Sequence, residues 1–224
     1  MRELRPGLWH WEAPHPEWEP GEPWPQLVSS YAVDNGEQLL LFDPIAPPGE
    51  IEELAVKRDA VVVLTCAWHE RDTRRLAERH GLTVYFPPPE SEDDLMEKYG
   101  LTREQAAGGA PDVRWLLGGE AGEGHPYAAG DPLPAGIRSF PRPGREQNEV
   151  VLWVESHRAV VAGDTLVDFG SGTELNLNFV RQGVTRARSA EALRPLLDLP
   201  VEHLLLAHGG PRDRNALDRA LQHG

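Results

Sequence analysis

Residues 61–72 read Val-Val-Val-Leu-Thr-Cys-Ala-Trp-His-Glu-Arg-Asp, a run of mostly branched apolar residues followed at once by a polar loop. A continuous apolar run without alternation is typical of a strand that is buried on both faces. We therefore predict a strand over 60–65 and a helix over 72–80, with Gly81 as its C-terminal cap. The loop between them holds a cysteine, a histidine and several charged side chains.

Strand and helix signals alternate on both sides of this segment. Strands at 27–33 and 38–42 flank Asp34-Asn35-Gly36, a strong hairpin signal. We also predict strands at 82–86, 137–140, 149–154, 159–162 and 203–206, and helices at 50–57, 190–197 and 212–221. The Gly- and Pro-rich stretch 107–134 predicts a long loop after a short helix at 102–107. These patterns indicate one domain over 1–224, in which two sheets pack face to face with helices outside.

Five segments resemble, in the right order, the landmarks of metallo-β-lactamase superfamily sequences. They are Leu39-Leu-Leu-Phe-Asp43-Pro, Val61-Val-Val-Leu-Thr65, Pro141-Arg-Pro-Gly144, Val161-Ala-Gly163-Asp164-Thr165-Leu166 and Leu204-Leu-Leu-Ala-His208-Gly209-Gly210. Their order and spacing match over nearly the whole chain. The resemblance implies an α/β fold, the four-layer αββα sandwich. Its pocket would lie at the edge between the sheets, lined by the loops after Thr65, Pro143, Ala162 and Ala207.

The same resemblance indicates that the metal-binding positions are largely replaced. In active members of the family, metal is held by an H-x-H-x-D-H loop, a histidine after a P-G turn, the aspartate of a G-D pair and a last histidine. Aligned without gaps, the four loop positions are occupied by Cys66, Trp68, Glu70 and Arg71. Arg145 follows the P-G turn, so only Asp164 and His208 keep the family's residue types.

The replacements argue against a two-metal site. Arg71 and Arg145 are permanently cationic, and each would oppose a divalent ion by several kcal/mol at about 4 Å and an effective dielectric constant of about 20. We hypothesise that the arginines replace the metal charge, with Arg71 or Arg145 paired to Asp164. The pocket would then bind a small anionic or polar ligand through His69, Arg71, Arg145 and Trp68, and the protein would lack two-zinc hydrolysis.

A shifted loop gives a second hypothesis. His69 lies one residue beyond the second histidine position and Asp72 one beyond the last. Cys66, His69 and Asp72 could then join Asp164 and His208 in a mononuclear site. One zinc or iron ion would support hydrolysis of an ester, thioester or lactone, with Asp164 and His208 as the catalytic pair. The sequence does not favour any cofactor, and a single zinc or iron ion is the one that this second hypothesis would require.

The singled-out residues also have ordinary structural uses, and a third class of function stays open. Cys66 could pack as a small hydrophobe, His208 could cap a loop, and Arg71 could be a solvated residue where a helix begins. The proline-rich segment with Trp9, Trp11, Trp18 and Trp24 could cover a sheet edge, form a pocket rim or mediate a homodimer. In the last case the protein would serve structure or interaction.

Composition excludes several classes of partner. The net charge of −14 repels nucleic acid and anionic membranes at long range, so we expect neither as a partner. Cys66 is the one cysteine of the chain, which rules out an intramolecular disulfide. The N-terminus shows no apolar signal segment, so we expect a cytoplasmic protein. The Arg- and Glu-rich composition suggests a GC-rich, bacterial genome.

Overall fold

The computed structural model of the chain describes residues 1–109, 114–117, 123–178 and 180–222. Within these ranges the strands form a seven-stranded sheet, a five-stranded sheet and a two-stranded ribbon. The first sheet follows chain order and contains β1 (Arg2–Arg5), β2 (Leu8–Pro14), β3 (Leu27–Asp34), β4 (Gln38–Phe42), β5 (Asp59–Val63), β6 (Thr83–Phe86) and β7 (Gly124–Pro126).

The second sheet comes from the second half of the chain. Its strands in chain order are β8 (Arg138–Pro141), β9 (Val150–Val154), β10 (Ala159–Val161), β13 (His203–Leu206) and β14 (Gly210–Asp213), and β11 (Leu166–Val167) and β12 (Glu174–Leu175) form the ribbon. The α-helices are α1 (Gly49–Lys57), α2 (Thr73–His80), α3 (Glu92–Tyr99), α4 (Arg103–Gly109), α5 (Arg114–Leu117), α6 (Arg186–Leu193) and α7 (Arg214–Gln222).

Three buried clusters define four layers. One cluster joins the first sheet to α1 and α2, with Ile51 and Leu76 contributed by the helices. A second joins the second sheet to α6 and α7. The third lies between the sheets and contains residues of both, such as Val61 and Leu205. The predicted αββα sandwich of two face-to-face sheets with outer helices is therefore confirmed.

The layers explain why the central strands are apolar at every position after the first. In β4, Leu39 and Leu41 face the helices, whereas Leu40 and Phe42 face the other sheet. Successive side chains of a strand point to opposite faces, so a strand covered on both sides needs apolar residues throughout. The same division holds in β13, where Leu205 faces the first sheet and its two neighbours face α6 and α7.

Parallel strand pairs determine where the loops meet. Strand β4 is parallel to β5, and β10 is parallel to β13. The carboxyl ends of parallel neighbours lie at the same edge of a sheet. The loops that follow these four strands therefore begin at shared edges, and the phenol of Tyr31 links the two sheets nearby by donating to the carbonyl of Leu206 at 2.8 Å.

The structure differs from the sequence prediction mainly in the turn-rich regions. The predicted loop at 107–134 contains α5 and β7, while its residues 110–113 and 118–122 lie outside the described ranges. Helix α3 was not predicted, although Ser91 and Asp94 form a capping box at its start. The predicted final helix begins two residues late, at Arg214, because residues 210–213 pair with β13 as a strand.

The described part of the chain contains no helix that is both long and apolar enough to cross a membrane.

The layer between the sheets predicts a large effect of truncating Leu205. Leu205 is fully buried there, and Leu205→Ala should lower the free energy of unfolding by about 2–5 kcal/mol through lost contacts and a residual cavity. Urea denaturation measures the loss. Leu27→Ala is the matched control, since Leu27 is exposed and its truncation should change stability by at most about 0.5 kcal/mol. Equal losses in both variants would contradict the assignment of Leu205 to the core.

Candidate functional site

Three side chains that follow strand ends converge at the edge of the sandwich. His69 lies in a short 3-10 turn after β5, Asp164 follows β10, and His208 follows β13. One ligand atom from each lies within 4.8 Å of the other two. His69 Nε2 is 3.3 Å from Asp164 Oδ1, and His208 Nε2 is 3.4 Å from the same oxygen. Two imidazoles thus face a single carboxylate oxygen.

Asp43, which follows β4, fixes the orientation of His69. The ring N–H at Nδ1 of His69 donates to Asp43 Oδ2 at 2.9 Å. The same carboxylate accepts from the amide of Thr65 at 2.8 Å and from its hydroxyl at 2.6 Å. With Nδ1 engaged, Nε2 is the nitrogen that faces Asp164. A carboxylate behind a ligating histidine is the usual second-sphere arrangement of metal sites.

Gly163 allows the backbone before Asp164 to pass close to Thr65. Gly163 has φ of +53°, a conformation that glycine adopts without strain. A Cβ at this position would lie 2.7 Å from the hydroxyl oxygen of Thr65. The G-D pair of the sequence therefore places Asp164 by combining a left-handed turn with a close backbone contact.

The charges of His69, Asp164 and His208 depend on one another. Burial alone would raise the pKa of Asp164, but the two neighbouring histidines hold that pKa well below its usual value. Burial alone would lower the pKa of His69, but Cys66 and the carboxylates of Asp164 and Asp43 raise it well above the usual value of 6.5. The cluster therefore keeps a carboxylate at Asp164 and attracts positive charge to its centre.

The donor set fits one divalent ion. In tetrahedral zinc sites the nitrogen and oxygen ligands lie about 2.0–2.2 Å from the ion, which separates the ligand atoms by roughly 3.3–3.5 Å. Both distances from Nε2 to Oδ1 are of this size. In addition, Asp164 Oδ1 is buried and accepts no hydrogen bond from the described residues, although buried polar atoms are normally satisfied. His69, Asp164 and His208 would therefore hold the ion.

Arg145 is occupied elsewhere. Its guanidinium donates to Glu90 at 2.8 Å and to Glu149 at 2.8 Å, and all three side chains are buried. Arg142 donates to the same Glu149 oxygen at 2.6 Å. The carboxylates hold the pKa of Arg145 above its usual range even though burial alone would lower it. The hypothesis that Arg145 pairs with Asp164 is wrong, because two arginines and two glutamates form a separate, charge-balanced group.

Cys66 and Asp72 do not belong to the three-residue cluster. Cys66 is fully buried and forms an isolated β-bridge with Glu149. Burial raises the pKa of its thiol, although the nearby His69 counteracts this. Asp72 accepts from the amide of Ala46 and from the guanidinium of Arg75. Of the five predicted metal ligands, the structure brings together His69, Asp164 and His208 and places Cys66 and Asp72 outside this group.

A cavity of about 390 Å³ opens above the cluster, a volume that suits a small molecule. His69, Asp164, His208 and Arg71 contribute polar groups to its lining. The remaining lining is largely apolar and aromatic, with Trp24, Trp68, Leu95, Leu101 and Phe169 among its residues. Trp24 and Phe169 contact the ring of His208 edge-on, at centroid distances of 5.1 and 5.7 Å.

The predicted ligand-binding residues divide into two groups. Arg71 and Trp68 both line the cavity, and Trp68 is anchored there because its indole N–H donates to Glu90 at 3.2 Å. Arg145 lines the same cavity, but its guanidinium forms ion pairs with Glu90 and Glu149. The tryptophan-rich segment contributes Trp24 to the wall and is held by the indole of Trp18, which donates to the carbonyl of Trp24 at 2.8 Å. Dimerisation through this segment stays a prediction.

The chain matches no protein-family model and no curated protein. It does match solved structures along almost its whole length. A metallo-beta-lactamase family protein from Thermus thermophilus is 18% identical, covers 99% of this chain and 80% of its own, and has a TM-score of 0.59. An archaeal metallo-beta-lactamase superfamily protein from Sulfolobus tokodaii is 17% identical, with 97% and 85% covered and a TM-score of 0.62. A metallo-beta-lactamase from Pontibacter korlensis is 15% identical, with 100% and 98% covered and a TM-score of 0.61.

The chain has the metallo-β-lactamase fold. At these identities the likeness establishes architecture alone, and chemistry must be argued from the site. The geometry described above places this chain's own residues at the edge where the metallo-β-lactamase fold brings its loops together. Four of the five landmark segments include the carboxyl ends of β4, β5, β10 and β13, and the fifth begins at the last residue of β8.

Sequence reasoning missed three charged residues of the site. Asp43 had a signal, because it closes one of the landmark segments of the metallo-β-lactamase fold. Glu90 and Glu149 had none, because they lie 59 positions apart in sequence and meet only through Arg145. Their role follows from the tertiary contact and from the need of a buried guanidinium for carboxylate partners.

The Arg142–Glu149–Arg145–Glu90 group predicts a strong effect of neutralising Glu149. Glu149→Gln removes the carboxylate that both arginines contact, so it should lower the free energy of unfolding by about 3–5 kcal/mol. Urea denaturation at neutral pH measures the change. The exposed Glu155 provides the control, since Glu155→Gln should alter stability by no more than about 0.5 kcal/mol. A Glu149→Gln loss no larger than that of the control would rule out a structural role for the group.

The raised pKa of His69 predicts pH-dependent stability of the metal-free protein. Because the folded pKa lies above the unfolded value of 6.5, the His69 proton stabilises the fold fully below that pH. This contribution is lost as the pH rises through the folded pKa. Urea denaturation in a chelator from about pH 6 to about pH 9 should therefore show falling stability, and His69→Gln should reduce the slope. His125→Gln changes a histidine outside the cavity whose side chain is 40% exposed, and it should keep the wild-type slope. Identical slopes in all three proteins would refute the prediction.

Proposed function

We propose that this protein is a hydrolase that uses one divalent metal ion to cleave a carboxylic ester, a thioester or a lactone. The convergence of His69, Asp164 and His208 on one point at the cavity floor is the observation that carries this proposal. Asp43 supports it from behind His69. Two imidazoles and one carboxylate resemble the three-ligand sets of catalytic zinc sites, which leave a position open.

The charges around the site favour one ion over two. The family resemblance places a metal-binding histidine where this chain has Arg145. The Arg145 guanidinium brings a permanent positive charge to that position, and Glu90 and Glu149 hold it there. A guanidinium cannot act as a metal ligand, so a second ion would lack the donor that the resemblance places at this position. The metal site is thus degenerate by comparison with a two-metal centre, while three ligands for one ion remain.

The residues of the chain provide the remaining requirements of hydrolysis. A divalent cation at this point supplies Lewis acidity at the cavity floor. The carboxylate of Asp164, which stays ionised because its pKa is low, can accept a hydrogen bond from an attacking water and orient it. Asp43 holds one proton of His69 at Nδ1, so Nε2 is the nitrogen that would release its proton and bind the ion. The apolar cavity walls limit the access of bulk water.

Fold neighbours agree with carbonyl hydrolysis only at the level of the scaffold. One matched structure is named a metallo-beta-lactamase, so the fold accommodates hydrolysis of an acyl C–N bond. The present site and cavity contain no feature that selects a lactam. Esters, thioesters and lactones, which are more readily hydrolysed, are therefore the classes to test first.

Metal content tests the first half of the proposal. Protein purified without a chelator or a metal-binding tag should contain about one equivalent of zinc, iron or manganese by elemental mass spectrometry, or should take up one zinc. His208→Ala should lose it, and Asp43→Asn should weaken zinc affinity by roughly 10–100-fold, as second-sphere changes do. His125→Ala, which alters an exposed histidine outside the cavity, should retain the metal. Failure of wild-type protein to bind zinc in excess would end the hydrolase proposal.

Turnover of model substrates tests the second half. Zinc-loaded protein should hydrolyse members of a panel of aryl esters, acyl thioesters and lactones, because these offer the carbonyl and the apolar body that the cavity can accept. Asp164→Asn and His208→Ala should abolish turnover, and the His125→Ala control should keep it. Circular dichroism of each variant separates loss of the site from loss of the fold. Stoichiometric metal without turnover of any panel member would count against this substrate class.

A further inference from the structure

Arg71 is the arginine at the cavity whose charge is not balanced by a carboxylate. Among the described residues it forms no ion pair, in contrast to Arg145, which contacts two glutamates in the same lining. Its protein partners are neutral: Nη1 donates to the carbonyls of Ser29 at 3.0 Å and Asp43 at 2.9 Å. A partly buried cation without an anionic partner is costly unless a ligand supplies one.

The fold holds this guanidinium in one place. Arg71 has φ of +45°, an uncommon conformation for a residue with a side chain. The two carbonyl contacts use only Nη1. Within the described part of the chain, Nη2 makes no hydrogen bond, and Nε is buried without a partner. Several N–H donors of one planar group therefore remain for an acceptor, and the planar fork of arginine matches a carboxylate.

The charge of Arg71 acts on two histidines of the cavity lining, His15 and His69. Burial, followed by the positive charge of Arg71, lowers the pKa of His15 at the rim. Its charge also opposes protonation of His69 at the floor. Arg71 lines the same cavity as His15, the metal-ligand cluster and walls that include Trp24 and Phe169. A ligand held there would place its charge at Arg71 and its apolar part against the aromatic rings.

The overall charge of a loaded site leads to the same conclusion. Asp43 and Asp164 together carry two negative charges, which one divalent ion balances. Glu90 and Glu149 balance Arg142 and Arg145. Glu17, a further carboxylate of the cavity lining, is exposed and forms no ion pair with Arg71 among the described residues. Arg71 therefore has no carboxylate in contact with it, and an anionic ligand would supply one.

We propose that Arg71 binds a carboxylate of the substrate, so that the substrate class is an acyl compound with a free carboxylate and an aromatic or aliphatic body. That the bound carboxylate belongs to a substrate rests on the proposed hydrolase function. The anion site itself can be measured without turnover. The carboxylate is bound by the Arg71 fork, the body packs against Trp24 and Phe169, and the scissile carbonyl lies towards Asp164 and His208.

Paired probes of equal shape test the anion site. The probes are 4-phenylbutanoate and its neutral amide, 4-phenylbutanamide, titrated by calorimetry and by quenching of tryptophan fluorescence. Wild-type protein should bind the carboxylate at least about tenfold more tightly, which corresponds to about 1.4 kcal/mol. Arg71→Gln should abolish this preference while leaving amide affinity unchanged. Arg71→Lys should retain part of it, because the charge remains but the planar fork is lost.

Two controls keep the result specific. Arg75→Gln removes an arginine of α2 that lies outside the cavity and pairs with Glu52, and it should bind both probes as the wild type does. Thermal unfolding of Arg71→Gln and Arg71→Lys verifies that the loop remains folded. Each titration is run on chelator-treated and on zinc-loaded protein, and the Arg71 effect should appear in both preparations. Equal affinity of wild type for the two probes, or a carboxylate preference that survives Arg71→Gln, would overturn the proposal.

The design separates this inference from the proposed function. If the protein binds no metal but shows the Arg71-dependent preference, the hydrolase proposal fails and the anion site stands. If the protein binds metal and cleaves neutral esters without any Arg71 effect, the hydrolase proposal stands and the anion site fails. In the expected case, the ratio of kcat/KM for a carboxylate-bearing ester to kcat/KM for the matching neutral ester falls at least about tenfold in Arg71→Gln.

Discussion

The buried carboxylate of Asp43 is the group on which the geometry of the site depends. It stands at the end of β4 and accepts hydrogen bonds from the amide and hydroxyl of Thr65, at the end of β5, and from His69 in the following turn. Its own backbone carbonyl accepts from Arg71. One residue thus ties two parallel strands to the loop that carries both a metal-ligand candidate and the unpaired cation. A buried carboxylate without these donors would be strongly destabilising, so the loop conformation and the charge are mutually required.

A different ionic group occupies the neighbouring part of the site. Arg145, placed after the P-G turn by the sequence, points to Glu90 and Glu149 rather than to Asp164. Arg142 completes a neutral set of two cations and two anions. Such a set is costly to bury but more costly to break, because removal of one member leaves an uncompensated charge. This group is separate from the His69–Asp164–His208 cluster, which is the group of candidate metal ligands within the described residues.

The sequence predicted the fold well where burial was complete. The strands around residues 39, 61, 160 and 205 are apolar on both faces because each lies between a helical layer and the other sheet, and this pattern is visible without coordinates. Prediction failed where local signals were weak or competed with tertiary pairing. Residues 212 and 213 were predicted to begin the last helix, yet they belong to β14 and pair with β13. Helix α3 has a clear cap at Ser91, but its short, charged sequence resembles a loop.

The sequence by itself determined the layered architecture, the order of the loops at its edge, and the residue types at the positions where the resemblance implies metal ligands, because these follow from residue type, hydrophobic period and position along the chain. Only the tertiary structure decided which histidine faces Asp164 and which arginine stays unpaired. The rotation of His69 towards Asp164 depends on Asp43, 26 residues earlier. The neutralisation of Arg145 depends on Glu90, 55 residues earlier. Side-chain direction and charge pairing are set by contacts between distant segments, and neither spacing nor composition encodes which partners will meet.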